Sequence, residues 1–284
     1  MKIKQLLALT LISLSVPAAI HAATVTRDVP VSGDINALVT SNSVDVIYTV
    51  APGAVKVTVT GPDNIVPMVK VVTKGKTLNI GVQKPHDTKR LNLKGLKVHV
   101  SGPMLFAVKA YTSSDVKFTN ALNVGNKPLK LHADTSADID IPEISSTGTV
   151  SINADTSADI KITTLRADKL TVNADTSADV EIHTANVTTM NLEADTSADI
   201  KIDTAAAGIV GASADTSADI KIGNLTARIL DASADTGADI KVSSGRIDKI
   251  KTKADTGGEI NLKGVTITNI ESMRTDTGGS VKTH

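Results

Sequence analysis

Carboxylates recur through the second half of this sequence at a nearly fixed step, and they are the residues whose spacing could do chemistry. One set is Asp134, Asp155, Asp175, Asp195, Asp215, Asp235, Asp255 and Asp276; a second is Asp138, Asp159, Asp179, Asp199, Asp219, Asp239 and Glu259. Members of the first set lie 20 residues apart five times and 21 apart twice. Both belong to one motif, Ala-Asp-Thr-Ser-Ala-Asp-Ile, which starts at Ala133, Ala154, Ala174, Ala194, Ala214, Ala234 and Ala254 with small variations and, in degenerate form, at Thr275. If equivalent residues stack, neighbouring carboxylates come within ~4.8 Å of each other. They then repel by roughly 1 kcal/mol in water and several times that at an effective dielectric near 20.

Three things could offset that repulsion. Asp, Ser and Thr side chains can bond to the backbone of a turn. Lys161, Lys201, Lys221 and Lys241, two residues after the second acid, could form a parallel cationic stripe. Alternatively, an oxygen-rich column could hold Ca²⁺ between repeats, with Asp155, Asp159, Asp175, Asp179, Asp195, Asp199, Asp215 and Asp219 as ligand candidates. The spacing is neither that of an EF-hand loop nor that of the Gly-rich nonapeptide of calcium-binding β-rolls. Where repulsion is not fully offset, raised carboxylate pKa values are expected in these columns.

Enzymatic readings are weaker. A β-helical polysaccharide lyase or hydrolase would use carboxylates, a cation and a basic residue, but a catalytic site breaks a repeat at one place, and these acids are reiterated. Gly-x-Ser-x-Gly, phosphate-cradling glycine loops, His-Glu-x-x-His and cysteine sites are all missing from the sequence. His86, His99, His132, His183 and His284 follow no ligand spacing. An ice-binding face would need hydroxyl rows without charge, and the row Thr135, Thr156, Thr176 is flanked by Asp. No catalytic or cofactor-binding residue is assigned, and no cofactor beyond the Ca²⁺ option.

The elements that position these acids are strands. In Leu170-Thr-Val-Asn-Ala every second residue is apolar, and Ala178, Val180 and Ile182 continue the alternation, which is the period of a strand. Counting back from Ile160 and Ala158 places Asp159 and Lys161 outward. Stacking then produces apolar columns: Ile139, Ile160, Val180, Ile200, Ile220, Ile240, Ile260, Val281; Ile141, Ile162, Ile182, Ile202, Ile222, Val242, Leu262; and Val150, Leu170, Met190, Val210, Leu230, Ile250. Ile144, Leu165, Ala185, Ala205, Leu225 and Val265 mark a shorter third side. Periods of this length signal a solenoid whose units cannot bury their apolar faces alone. The fold class is therefore all-β, a parallel β-helix of ~20-residue coils, right-handed by analogy with other parallel crossovers. The two single-residue insertions, near Ser145 and near Ser272, are expected at corners.

Three regions follow. Residues 1–22 form an expected signal peptide: Lys2 and Lys4, the apolar run Leu6–Val16, then small residues up to Ala23. Residues 23–105 are strand-like but irregular, punctuated at Pro52-Gly53, Gly61-Pro62, Lys74-Gly75, Lys84-Pro85 and Gly102-Pro103, and are expected to cap the rod. Residues 106–284 carry the regular coils, beginning with Ala110-Tyr111-Thr-Ser-Ser-Asp115, where Tyr replaces the first Asp. Without Lys2 and Lys4 the chain has 28 basic and 30 acidic residues, a balance that argues against nucleic acid or a strongly anionic membrane as partner. With no cysteine there are no disulfides and no lipid-attachment site. No segment after the first two dozen residues is apolar enough to span a bilayer. With two Tyr, two Phe and no Trp, the core must be aliphatic.

Val31-Ser-Gly-Asp-Ile-Asn-Ala-Leu, Asn42-Ser-Val-Asp-Val-Ile-Tyr, Val55-Lys-Val-Thr-Val-Thr-Gly-Pro-Asp-Asn and Lys74-Gly-Lys-Thr-Leu-Asn-Ile resemble the opening of the putative auto-transporter adhesin, head GIN domain family. The Asp-Thr-Ser-Ala-Asp-Ile units are similar to that family's Ser-Gly-Ser-Gly-Asp-Ile coils, with Ala in place of Gly except at Gly237, Gly257, Gly258, Gly278 and Gly279. The resemblance implies an exported bacterial right-handed β-helix with no assigned activity and no catalytic residues. Together these observations predict a non-enzymatic scaffold for surface interaction or adhesion, periplasmic or at the cell surface, presenting Asp, Ser and Lys rows to a glycan or envelope polymer. The alternative is a cation-binding or lyase-like β-helix.

Overall fold

A computed structural model describes residues 23–83 and 91–284. The expected signal peptide, 1–22, lies outside the described residues, as do Lys84-Pro85 and His86. The first half contains β1 (Thr24–Val29), β2 (Ala37–Ser41), β3 (Val46–Val50), β4 (Lys56–Pro62), β5 (Val69–Lys74), β6 (Thr77–Val82), β7 (Lys97–Gly102), β8 (Ala107–Tyr111), β9 (Val116–Phe118), β10 (Leu122–Gly125) and β11 (Leu129–Asp134). Then follow β12 (Asp138–Ser146), β13 (Thr149–Asp155), β14 (Asp159–Ala174), β15 (Asp179–Ala194), β16 (Asp199–Ala214), β17 (Asp219–Ala234), β18 (Asp239–Ala254), β19 (Glu259–Asn261), β20 (Val265–Thr275) and β21 (Ser280–Lys282). Helical structure among the described residues is one short 3₁₀ turn, Val66–Met68.

The regular part is a β-solenoid. Each 16-residue strand from β14 to β18 wraps one winding and pairs in parallel with the next, interrupted only at its two corners. In β14 the sides are 159–162, 164–167 and 169–174, so Thr163 and Asp168 are corners, and the Asp-Thr-Ser-Ala turn closes the loop. Alternation aims every second side chain inward. Ile160, Val180 and Ile200 are paired in register and no more than 1% exposed. The other columns stack as expected, with one addition: Gly245 stands between Leu225 and Val265. Its φ of +121° is open to glycine, and a Cβ there would lie 2.0 Å from the Leu225 carbonyl oxygen.

The two insertions behave differently. The one near Ser145 falls between β12 and β13, at a corner. The one near Ser272 does not: Ile250 pairs with Ile270 and Lys251 with Ser272, so Glu271 bulges inside β20. No described strand covers the outer edge of β20, so the bulge breaks pairing on one side only.

The first half is wound out of sequence order and mixes strand directions. β2 lies between β6 and β8, and β3 between β7 and β9, all parallel. The winding 37–50 is therefore sandwiched between 77–102 and 107–118, both later in the chain. β4 pairs antiparallel with β7, β1 with β4, and β5 with β6. One continuous aliphatic core runs from this region to the last coils, with Tyr48 stacked on Phe118, ring centroids 5.1 Å apart, where the windings 37–50 and 107–118 meet.

Candidate binding surface

The repeated motif builds a turn. In Asp175-Thr-Ser-Ala178 the Ala178 N–H donates to the Asp175 carbonyl at 3.2 Å, and Thr176 and Ser177 have φ of 53° and 63°. Two consecutive left-handed residues inside a four-residue turn define type I′ geometry, ordinarily the territory of Asn and Gly. A β-branched Thr in that region costs of order 1–3 kcal/mol. Two sets of hydrogen bonds hold it there. The Asp carboxylate accepts from the Thr that follows: Thr196 N–H at 2.6 Å and Thr196 Oγ1 at 3.2 Å, both on Asp195 Oδ1. Turns also bond to each other, as in Ser177 N–H to the Thr196 carbonyl at 3.1 Å.

That ladder is longer than the motif suggests. It starts with Ser43 N–H on the Thr112 carbonyl, passes through Ser113 to Thr135, and continues to Gly257 N–H on Thr277. Ser41-Asn42-Ser43-Val44-Asp45-Val46 is thus a further copy of the frame, with Asn42 and Ser43 at φ of 62° and 60°. The signal was present in the sequence: small polar residues, an apolar one, Asp, then a β-branched residue.

The two acidic columns differ in chemistry. In the first, Asp134, Asp155, Asp175, Asp195, Asp215, Asp235, Asp255 and Asp276 each accept from the next Thr. Hydrogen bonding from the Thr256 backbone holds Asp255 below the usual carboxylate range. The second column continues upstream through Asp115 to Asp45, and burial, reinforced in most cases by neighbouring carboxylates, pushes several members up. Asp115 rises to about 6, first by desolvation and then through Asp138 and Asp45 on either side. Asp45, Asp138, Asp179 and Asp239 are also raised, each mainly by burial. The expected elevation therefore occurs in the second column.

Beside the second column runs a mixed row. Lys161, Lys201 and Lys221 line it as expected, with Asp140 and Glu181 interleaved. Lys201 Nζ donates to Glu181 Oε1 at 2.6 Å, Lys221 to Asp219 Oδ2 at 2.7 Å, and Lys117 to Asp140 Oδ2 at 2.9 Å. These pairs are largely exposed and screened by solvent, so they add little to stability. Around them lies a groove of about 250 Å³ lined by Asp159, Lys161, Asp179, Glu181, Lys201 and Lys221, among others. Of the cation candidates, Asp159, Asp179 and Asp199 line this groove, Asp155 faces its Thr, and Asp175, Asp195 and Asp215 line a separate depression. Asp219 is held by Lys221. Among the described residues no three His, Cys, Asp or Glu side chains gather into a metal-holding group, and no helix is long and apolar enough to cross a membrane.

Solved structures share this architecture. A protein of Parabacteroides distasonis ATCC 8503 described as a putative lipid binding protein aligns with a TM-score of 0.65 and 18% identity, over 89% of this chain and 96% of its own. A putative adhesin of the same organism aligns with a TM-score of 0.58 and 17% identity over 90% and 96%. A putative adhesin of Bacteroides fragilis NCTC 9343 gives 0.52 and 22% over 89% and 97%. At these identities the likeness is one of fold. No curated protein matches. Residues 34–222, more than half of the chain and spanning both the out-of-order windings and the first regular coils, match the model of the family described as "Putative auto-transporter adhesin, head GIN domain", and the chain belongs to that family.

Proposed function

We propose that this chain is a non-enzymatic, exported scaffold, periplasmic or at the cell surface, that adheres to a repeating glycan or envelope polymer through many weak contacts. In this reading the solenoid is right-handed, as parallel crossovers nearly always are, and the antiparallel strands β1, β4 and β5 cap its N-terminal end. The carrying observation is the in-register charged row beside the second acidic column, which alternates from Lys117 through Asp140, Lys161 and Glu181 to Lys201 and continues as Lys221 and Lys241. With windings ~4.8 Å apart, a ligand with a matching repeat meets a Lys at every second winding up to Lys201 and at every winding from there to Lys241, so weak contacts multiply through effective concentration. Co-sedimentation of the mature chain with native envelope material tests this. Replacing Lys161, Lys201 and Lys221 by Gln should weaken it markedly; undiminished sedimentation would refute the reading.

Desolvated carboxylates at Asp138 and Asp179 support the second reading, in which the column takes Ca²⁺ between windings. Calorimetric titration with Ca²⁺ separates the two. Submillimolar binding lost on Asp→Asn exchange at Asp159, Asp179 and Asp199 favours the cation, and a flat titration favours the scaffold alone.

A further inference from the structure

Three of the chain's four aromatic rings belong to the interior: Tyr48 and Phe118 stack in the core, and Phe106 packs against it. Tyr111 is the exception. It ends β8, half-exposed, in the first acidic column, with Asp134 as its register partner on one side. Continuing the pairing of Thr40 with Ala110 by one residue puts Ser41 on its other side, and Gly81 pairs with Ser41 beyond that. The outward row across these strands therefore reads Gly81, Ser41, Tyr111, Asp134. The next row reads Asn79, Val39, Lys109, His132. The His132 imidazole and the Tyr111 ring meet in a T-shaped pair, centroids 5.3 Å apart at 68°, which helps to orient the half-exposed Tyr111 ring.

Next to this platform, across β2, β6 and β5, the surface sinks into a depression of about 310 Å³ lined by Ser41, Asn42, Lys70, Lys74, Asn79 and Gly81 among others. That volume sits at the lower end of small-ligand sites, which run from about 300 Å³ upward. Gly81 lets the Ser41 side chain lie close over β6, since a Cβ there would lie 2.9 Å from Ser41 Oγ. Asn42 Nδ2 donates to the Val82 carbonyl, holding the amide at the rim. Lys70, Lys74 and Lys109 form no ion pair with any described residue, in contrast to Lys117, Lys161, Lys201 and Lys221 along the rod.

We propose that Tyr111 and this depression form a subsite for an acidic oligosaccharide of the hexuronate type. One sugar lays its C–H face on the Tyr111 ring, where the negative π-face attracts polarised C–H groups. The chain then crosses β2 and β6 toward β5, a span of roughly 14 Å or three strand spacings, so two to three sugars fill it. Lys109 meets a carboxylate at one end and Lys70 and Lys74 at the other, while Ser41, Asn42 and Asn79 take hydroxyls. Asp134 repels a carboxylate on its side, so the ligand runs away from the acidic column. This subsite rests on the glycan reading above and gives it a place and a chemical class.

The test uses the mature chain and four probes: tetragalacturonate, hyaluronan tetrasaccharide, cellotetraose and chitotetraose. Calorimetry gives Kd, and with no Trp in the sequence a ligand-dependent change in tyrosine emission reports on Tyr111, because Tyr48 is buried out of a ligand's reach. A uronate probe should bind with salt-dependent affinity and the neutral ones at least tenfold more weakly. Tyr111→Phe should retain binding and Tyr111→Ala lose tenfold or more with an unchanged far-UV spectrum. Lys70→Gln with Lys74→Gln should weaken binding and flatten its salt dependence. Uronate binding that is indifferent to Tyr111→Ala, or no binding by either uronate, would overturn the subsite. Envelope sedimentation that survives Tyr111→Ala but fails with the Lys161, Lys201 and Lys221 substitutions would leave the multivalent reading standing. The reverse pattern would remove that reading and keep the subsite.

Discussion

Ser177, Ser197 and Ser217 sit at φ of 63°, 64° and 63°, and changing all three to Gly should stabilise the rod. An L-residue in the left-handed region carries a penalty of roughly 1–2 kcal/mol that Gly escapes. Gly in turn loses more chain entropy on folding, about 0.5–1 kcal/mol. The difference leaves about 0.5–1 kcal/mol per site, or about 1.5–3 kcal/mol for the three if they add. No hydroxyl is sacrificed, because these serines are exposed and make no side-chain hydrogen bond with described residues. The molecule contains its own control. Gly237 and Gly257 occupy the equivalent position at φ of 72° and 80°, and the turn ladder runs through them with N–H to carbonyl distances of 3.1 Å. Urea unfolding followed by circular dichroism should show a higher midpoint for the triple variant with an unchanged spectrum. Gly237→Ser should lower it through the left-handed φ alone, because the added Cβ meets only Ser217 Oγ, at an ordinary contact distance of 3.8 Å. A triple variant at or below the parent midpoint would show that these turns are not strained, and the account of what holds them would fail.

Acidification should first stabilise the protein. Asp45, Asp115, Asp138, Asp179 and Asp239 are raised in the folded state, so the native chain binds protons more readily than the unfolded one, and stability increases as pH falls through their raised folded values, about 6 for Asp115. That gain is complete below the unfolded carboxylate range and lost as pH rises through the folded values. Asp203, Asp255, Glu259 and Glu271 are lowered, so their contribution disappears as pH falls through their folded values, below the ordinary range. A urea midpoint that rises from pH 7 to pH 5, with a smaller rise in Asp115→Asn, is the expected result; a steady fall over that interval would contradict it. Gly245→Ala should cost at least ~2 kcal/mol because it combines a left-handed φ with a backbone clash; an unchanged midpoint would contradict the geometry. Deleting 195–214, one complete winding, should give a folded rod shorter by ~4.8 Å, because Asp195 and Asp215 occupy equivalent positions; loss of cooperative unfolding would refute the stacking of interchangeable units.

The regular windings were legible because both of their periods are written in the residues: alternation within a strand, and about twenty residues between Ile160, Val180 and Ile200. The out-of-order start was not. Nothing local in Ala37–Ser41 says that its neighbours are Thr77–Val82 and Ala107–Tyr111, because that choice is made by which edges remain open once the later strands have formed. The corner expected near Ser272 failed for a related reason. An insertion in an interior winding must avoid two partners, whereas the outer edge of β20 is free to bulge at Glu271. The turn geometry was also hidden, since Thr-Ser carries none of the usual type I′ signature and is held there by stacked neighbours, the next turn's Thr carbonyl accepting its Ser N–H and the previous turn's Ser N–H donating to its Thr carbonyl. Tyr111 was visible as a departure from the motif, but its exposure beside His132 depends on which face of β8 looks outward.

The repeated motif and the departures from it do different work. Among the described residues, every non-glycine residue with positive φ lies in the stacked turns, and the first Asp of each motif is committed to the Thr beside it. In five of the eight motifs that Asp accepts the Thr N–H of the left-handed turn, and at Asp134, Asp155 and Asp175 it accepts the Thr hydroxyl, so in each it ties the turn's Thr in place. It recurs in all eight copies of the motif, and only the two upstream turns, at Asn42-Ser43 and Thr112-Ser113, form with Ser41 and Tyr111 in its place. The outward positions that the turn does not constrain are free to vary, and they do: Lys161 becomes Glu181 and then Lys201 along one row. Even the turn's own Asp position departs from the motif once it is upstream of the regular coils, where Tyr111 stands next to Asp134. Recognition by such a rod must be carried by those positions, because a feature shared by every winding cannot tell a ligand where along the rod to sit.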